Sequence, residues 1–238
     1  VITKLAAESE EVQIVAGIDI VDNKDNGYPV FTSWDDCNVK ADVIVDFSTA
    51  KAVDGVIEHA VKTGTPLALC TTGLSEAQLQ KVNEAAEEIA ILRSANMSLG
   101  VNTVFKLAAA AAQILADAGY DMEIIERHHN RKLDAPSGTA IAIADAINEA
   151  MGGVYHYNMD RNNVRAKRDP KEIGFSAVRG GNIVGDHQVL YCGPDEVIEI
   201  RHTAYSRAIF GKGALEAAIF LAGKGPGLYK MSDVIDAR

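Results

Sequence analysis

The 238-residue sequence has little cysteine: Cys37, Cys70 and Cys192 stand far apart, odd in number and without a CxxC spacing. That excludes a disulfide scaffold, reads against a zinc knuckle and makes a reducing cytoplasm the simplest compartment. Long apolar runs are missing too. The longest, around residues 107–116, is alanine-rich and ends at Asp117, short of the roughly 18 residues a membrane span needs, so no membrane partner is expected. No signal peptide is read at the start. Cationic residues are in deficit, with 23 Lys and Arg against 33 Asp and Glu and a formal net charge of −10. A field of that sign repels phosphate backbones and argues against nucleic acid as a partner, though it leaves room for a local cationic site that takes a small anion. Neither GxGxxG nor HExxH occurs anywhere.

What is present is ordinary globular material, 47% apolar and 24% charged, enough for one large domain or two small ones. Near-continuous apolar runs at 12–19 (VQIVAGID), 42–49 (DVIVDFST), 66–73 (PLALCTTG) and 90–98 (AILRSANMS) suit strands buried on both faces of a parallel sheet. Helical patterns at about 51–63 and 75–88 alternate with them, so the first part reads as a doubly wound α/β sheet of the dinucleotide-binding kind. From Val101 the rhythm changes. An alanine-rich helix, a strand at 121–128 and a helix from about Pro136 to Ala150 lead to three consecutive strand-like runs with GG and GPDE between them, read as antiparallel neighbours. This second part is an α+β domain with a mixed sheet. The boundaries fall at 1–99 with 209–238 for the first domain and 100–208 for the second, while 151–170 stays unexplained.

The densest chemistry lies at 125–140, IERHHNRKLDAPSGTA. Pro136 suits the first position of a helix, and Ser137, Gly138 and Thr139 then offer backbone N–H groups at its positive end, a site for a carboxylate or phosphate. Arg131 and Lys132 add cations just upstream. His128 and His129, adjacent at a strand end, point to opposite sides, and histidine is the usual acid–base residue. Adjacent histidines are awkward joint ligands for one ion, so no metal is expected. In the first domain Asp19 ends a strand where an acid would take ribose hydroxyls. Small polar residues cluster at three further strand ends: Phe47 to Thr49, Cys70 to Gly73 and Ala95 to Ser98. Residues 1–11 look like the back half of the helix that follows a glycine-rich turn, so the first strand and that turn are read as missing from this chain.

The stretch ERHHNRKLDAPSGTA resembles the signature of the 4-hydroxy-tetrahydrodipicolinate reductase family. DVIVDFST, CTTG, ANMSLGVN, RGGNIVGDH, AYSRAIFGKGAL and GLYKMSDV follow in that family's order over essentially the whole chain. The resemblance implies reduction of a cyclic dicarboxylate to tetrahydrodipicolinate by NADH or NADPH, in diaminopimelate and lysine synthesis, by a homotetramer. It implies His128 as the acid–base residue and Lys132 as the proton donor. His129, Gly138 and Thr139 would hold substrate carboxylate. Asp19, Cys70, Thr71, Thr72, Ala95, Asn96, Met97 and Ser98 would line the cofactor. Besides the missing glycine turn, Cys70 stands where the family usually has glycine. Ile20 follows Asp19 where NADPH-competent members often carry arginine, which favours NADH, with Lys24 a partial substitute for binding NADPH. The competing readings are a dicarboxylate-binding or assembly protein of the same fold without turnover, and a different NAD(P)-dependent reductase on the same plan.

Overall fold

Three of the four early apolar runs become strands of one parallel sheet: β3 (Ile44–Asp46), β4 (Leu67–Leu69) and β5 (Ala90–Arg93). They belong to a computed structural model of the protein, which describes residues 1–21, 26–94, 96–162 and 165–238. The chain divides into two units, Val1–Ser98 with Ala208–Arg238, and Leu99–Arg207.

In the first unit the parallel sheet has the order β11-β5-β4-β3, its edge formed by β11 (Gly227–Tyr229) from the far end of the chain. The sequence hides β11 because three residues carry no readable period. The run at 12–19 gives only β1 (Gly17–Ile18), paired in parallel with β2 (Val30–Phe31) in a separate two-stranded sheet. Besides α1 (Ile2–Ala7), helices α2 (Val53–Thr63) and α3 (Glu76–Ala85) alternate with the strands. Their apolar faces meet at Val53, Val56, Ile57, Ala60 and Val82, against Leu67, Leu69 and Ile91. Ser75 and Gln78 close a capping box on α3, and Gly64 ends α2 at φ 65°, a left-handed position that glycine takes without strain.

In the second unit, helix α4 (Leu99–Leu115) and helix α5 (Gly138–Ala150) cover one face of a five-stranded mixed sheet. Its strands are β6 (Asp121–His128), β7 (His156–Asn158), β8 (Glu172–Arg179), β9 (Gly185–Cys192) and β10 (Val197–Ala204), in the order β10-β9-β6-β8-β7. The expectation of three antiparallel neighbours fails at the GG turn. There β6 lies between β8 and β9, parallel to the first and antiparallel to the second. Only β9 and β10 form a hairpin, closed by the Gly193 N–H on the Glu196 carbonyl at 2.9 Å. The unexplained 151–170 segment supplies edge strand β7. It is tied down by Arg161 on Glu123 at 2.7 Å and by Arg168 on Asp121 and Glu123, both at 3.1 Å. Among the described residues no helix is long and apolar enough to cross a membrane.

Returning to the first unit, helix α6 (Ala208–Leu221) packs on β3, β4 and β5, and α7 (Met231–Asp236) closes the chain. Small residues let α6 approach. A Cβ at Gly213 would stand 1.6 Å from the carbonyl oxygen of Met97, a backbone atom that cannot swing aside. Gly213→Ala should therefore destabilise the protein by about 2–3 kcal/mol or more, read as a lowered midpoint in urea. The glycine has open backbone geometry, so an unchanged midpoint would mean that α6 does not lie this close to Met97.

Candidate active site

Strand β6 alternates half-buried and buried residues along its whole length, so Glu126 and His128 fall on the helix-covered face together. Register brings two more polar side chains to that face. His128 is paired with Arg179 of β8, and Glu126 with His187 of β9. Glu126 is completely buried, and four donors reach its two oxygens. Oε1 accepts the Ser137 N–H at 3.0 Å and Arg179 Nη2 at 2.6 Å; Oε2 accepts His128 Nδ1 at 2.6 Å and Arg179 Nη1 at 2.7 Å. Burial pushes the Glu126 carboxyl up, but the hydrogen bonds and charges of His128 and Arg179 outweigh it and hold it at about 2.

The Ser137 side chain starts α5 by accepting the Ala140 N–H at 3.2 Å, and its hydroxyl also meets His187 Nε2 at 3.0 Å. The helix begins two residues later than Pro136 suggests. Pro136 lies outside it, after a cis peptide bond, and Ser137 is the cap. The Ser137 N–H expected to be open to an anion is thus already used by Glu126. Gly138 and Thr139 occupy the first turn. The Gly138 N–H points at the Asp134 carboxylate, which also accepts Lys132 Nζ at 2.9 Å. Lys132 is the main cause holding the Asp134 carboxyl below its usual range. An internal carboxylate therefore sits on two of the groups expected to take an external one. His129 directly follows β6 and is half-buried. Burial and the cations Arg131, Arg207 and Lys132 push its pKa down, and its Nδ1 is buried with no hydrogen-bond partner among the described residues.

In the first unit the candidate residues cluster at strand ends. Asp19 follows β1 and is exposed, its carboxylate 3.4 Å from the Val21 N–H. Cys70 follows β4 with its thiol pushed up to about 12, by burial first and Asp46 second. No reactive thiolate forms there. Thr71 is buried and its hydroxyl has no partner among the described residues, whereas Thr72 is exposed. Asn96 accepts the Ser98 N–H at 2.8 Å, and Met97 and Ser98 are buried. Ala95 and Lys24 lie outside the described residues. Reading the sequence alone misses Asp46, the last residue of β3. It is buried, with Oδ1 on the Ser48 N–H at 3.1 Å and Oδ2 unpartnered among the described residues. An acid closing an apolar run was its only signal. Glu126, Arg179 and His187 are missed as well, because only strand register assembles them.

The buried cluster makes stability fall in acid. His187 sits at about 4, pushed down by burial first and by His128 second, with Glu126, His202 and Asp186 also facing it. Its ordinary value is 6.5, so the unfolded chain binds the extra proton between those values and stability declines as pH drops through that window. The decline amounts to roughly 3 kcal/mol. Glu126 acts lower: its contribution is complete above its ordinary 4.5 and is lost toward 2. Urea unfolding across pH 7 to 4 should show the first decline, flattened in His187→Gln. An equally steep decline in that variant would assign the window to other groups.

The comparisons with known proteins agree with one another. Residues 1–97 match the family model for the N-terminus of dihydrodipicolinate reductase, and residues 100–235 match the model for its C-terminus. The chain is 48% identical over 235 residues to 4-hydroxy-tetrahydrodipicolinate reductase of Caldanaerobacter subterraneus, covering 99% of this chain and 92% of that protein. The same-named protein of Clostridium novyi is 43% identical over 229 residues, covering 96% and 90%. Among solved structures, a dipicolinate-bound dihydrodipicolinate reductase from Paenisporosarcina superposes with a TM-score of 0.76 at 26% identity, over 95% of this chain and 91% of that one. The chain belongs to the dihydrodipicolinate reductase family.

Proposed function

We propose that the protein catalyses NAD(P)H-dependent reduction of 4-hydroxy-tetrahydrodipicolinate to tetrahydrodipicolinate, a step of diaminopimelate and lysine synthesis. The observation that carries the reading is a histidine polarised by a buried carboxylate, beside a lysine and a helix N-terminus, in a chain of this family. In balance, the substrate gains a hydride and a proton and loses water.

The first unit fits a nicotinamide dinucleotide. Two buried oxygens, Thr71 Oγ1 and Asp46 Oδ2, lie without a partner among the described residues at the ends of adjacent parallel strands, where hydroxyl and amide groups of such a ligand would satisfy them. Asp19 would take the adenosine ribose, with the loops at 70–72 and 95–98 lining the rest. When bound, the dinucleotide supplies the hydride. With no arginine beside it, Asp19 favours NADH over the 2′-phosphate of NADPH.

In the second unit Gly138 and Thr139 would receive a substrate carboxylate at the helix N-terminus, with His129 beside it. Lys132 would give the proton that accompanies the hydride, and His128 would act as acid and base. A substrate carboxylate arriving at this site must displace Asp134, which frees the Lys132 ammonium for the substrate. The family resemblance adds a homotetramer and a cytoplasmic location.

The test is steady-state oxidation of NADH and NADPH with freshly formed substrate. Lys132→Ala should lower kcat by about 100-fold or more with a smaller change in KM, because a proton donor acts in the transition state. Unchanged turnover would remove Lys132 from that role, and comparable kcat/KM with both cofactors would overturn the NADH preference. Asp134→Asn should bind pyridine-2,6-dicarboxylate about 1.4- to fivefold tighter by calorimetry, the range spanned by the ~0.2–1 kcal/mol of an exposed ion pair. Weaker binding would make Asp134 part of the binding site instead of a stand-in for the ligand.

A further inference from the structure

Acid–base work by His128 requires one ring nitrogen to be presented in a fixed proton form, and three observations identify what fixes it. First, the Glu126 carboxylate accepts three unambiguous donors, the Ser137 N–H and both Arg179 Nη groups, and the guanidinium fork keeps it ionised. It has no proton to give, so His128 Nδ1 must be the donor of the 2.6 Å bond. Second, Arg179 and the Ser137 N–H hold that carboxylate from two other chain segments, so it cannot turn with the ring. Arg179 is itself anchored on the Asp134 carbonyl at 2.6 Å and the Val178 carbonyl at 2.7 Å. Third, His128 Nε2 lies beside Gly185, where a Cβ would come within 3.1 Å. Gly185 carries no side chain to block that edge. His187, edge-on to His128 at 5.1 Å, bonds to Ser137 and does not compete for Glu126.

We propose that Glu126 is a positioning residue of the reaction: clamped by Arg179 and the Ser137 N–H, it locks His128 in its Nδ1–H form and leaves Nε2 as the atom that exchanges protons with substrate. The inference rests on the acid–base reading of His128 above. Glu126 does not touch substrate; it acts through the ring, as a buried carboxylate does when it orients a catalytic imidazole and fixes its tautomer. Arg179 has the supporting part, and its fork is what a lysine cannot supply.

The experiment is a double-mutant cycle with Glu126→Gln, His128→Gln and the pair, together with ring-nitrogen NMR of histidine-labelled protein. Glu126→Gln should lower kcat by about 10- to 100-fold, within the range a positioned acid–base group supplies, while KM moves less than about threefold. In the His128→Gln background the same change should cost nothing further in kcat. The His128 ring should be Nδ1–H in the wild type and a mixture of tautomers in Glu126→Gln. Equal losses with and without His128, or a lowered melting temperature with intact kcat and an unchanged tautomer, would overturn the proposal. If His128→Gln itself turns over like the wild type, the acid–base reading falls and takes this one with it, an outcome distinct from failure of Glu126 alone. Should Glu126→Gln not fold, Arg179→Lys keeps a positive charge, breaks the fork, and is expected to show the same coupling to His128 and the same tautomer mixture. Additive losses there would count against the proposal equally.

Discussion

A carboxylate with no access to water has to be neutralised by its surroundings, and around Glu126 that requirement organises the second unit. Its donors come from β6 itself, from β8 and from the first residue before α5. Each is separated from the others in sequence, so the charge can be buried only when sheet register and helix entry are both correct. Removing one partner of such a group typically costs ~3–5 kcal/mol because the remaining charge stays buried. The same bonds that satisfy Glu126 fix where α5 begins, and therefore where its positive end faces. Fold and site thus share one set of contacts. A change that kept an oxygen for the Ser137 N–H but removed the charge would free the histidine ring while leaving the start of α5 in place.

The legibility of the fold followed the strength of its periodic signals. Strand β6 alternates over eight residues, and α4 and α5 present apolar stripes over three turns or more, so all three could be placed from sequence. Pairing order could not. The strand-like runs after residue 170 look like successive hairpins because their turns are rich in glycine, yet β6 intrudes between the first two. Nothing local encodes that insertion. It is decided by which strand completes the apolar face under α4 and α5, where Met122, Ile124, Ile173, Val189 and Tyr191 meet. Short strands such as β1, β2 and β11 fall below any periodic signal, and long-range parallel pairing alone defines them.

The site divided the same way. His128, His129, Lys132 and the start of α5 lie within one continuous stretch, and local chemistry exposes them: a helix N-terminus, two imidazoles and a cation. Glu126 is in that stretch too, but an acid in a strand looks like a solvent-facing residue until Arg179 and His187 arrive opposite it. Asp46 was hidden for a related reason. Its neighbour Ser48 takes one oxygen in a tight turn that any aspartate could make, and only burial of the other oxygen marks it out. Polar residues are read from sequence as exposed by default, and both exceptions here are buried carboxylates.

An acidic protein can still bind a dianion if its cations are arranged locally. Net charge sets the long-range field, but at physiological salt that field decays over ~8 Å, so a small ligand already in the site responds to the groups beside it. At the proposed substrate site those groups would be Lys132, Arg131 and the α5 N-terminus. Arg179 does not join them, because both its fork contacts are spent on Glu126. Lys132 is different: its carboxylate partner, Asp134, is exposed and held by one side-chain contact. The two internal ion pairs therefore differ in kind. The buried one is held by several contacts, while the exposed one is held by a single side chain, and at the proposed site a substrate carboxylate would offer Lys132 and the Gly138 N–H the same chemistry as Asp134. On the proposed assignment of the site, this exchange favours carboxylates over neutral ligands. A neutral molecule would have to break the Lys132–Asp134 pair without replacing it.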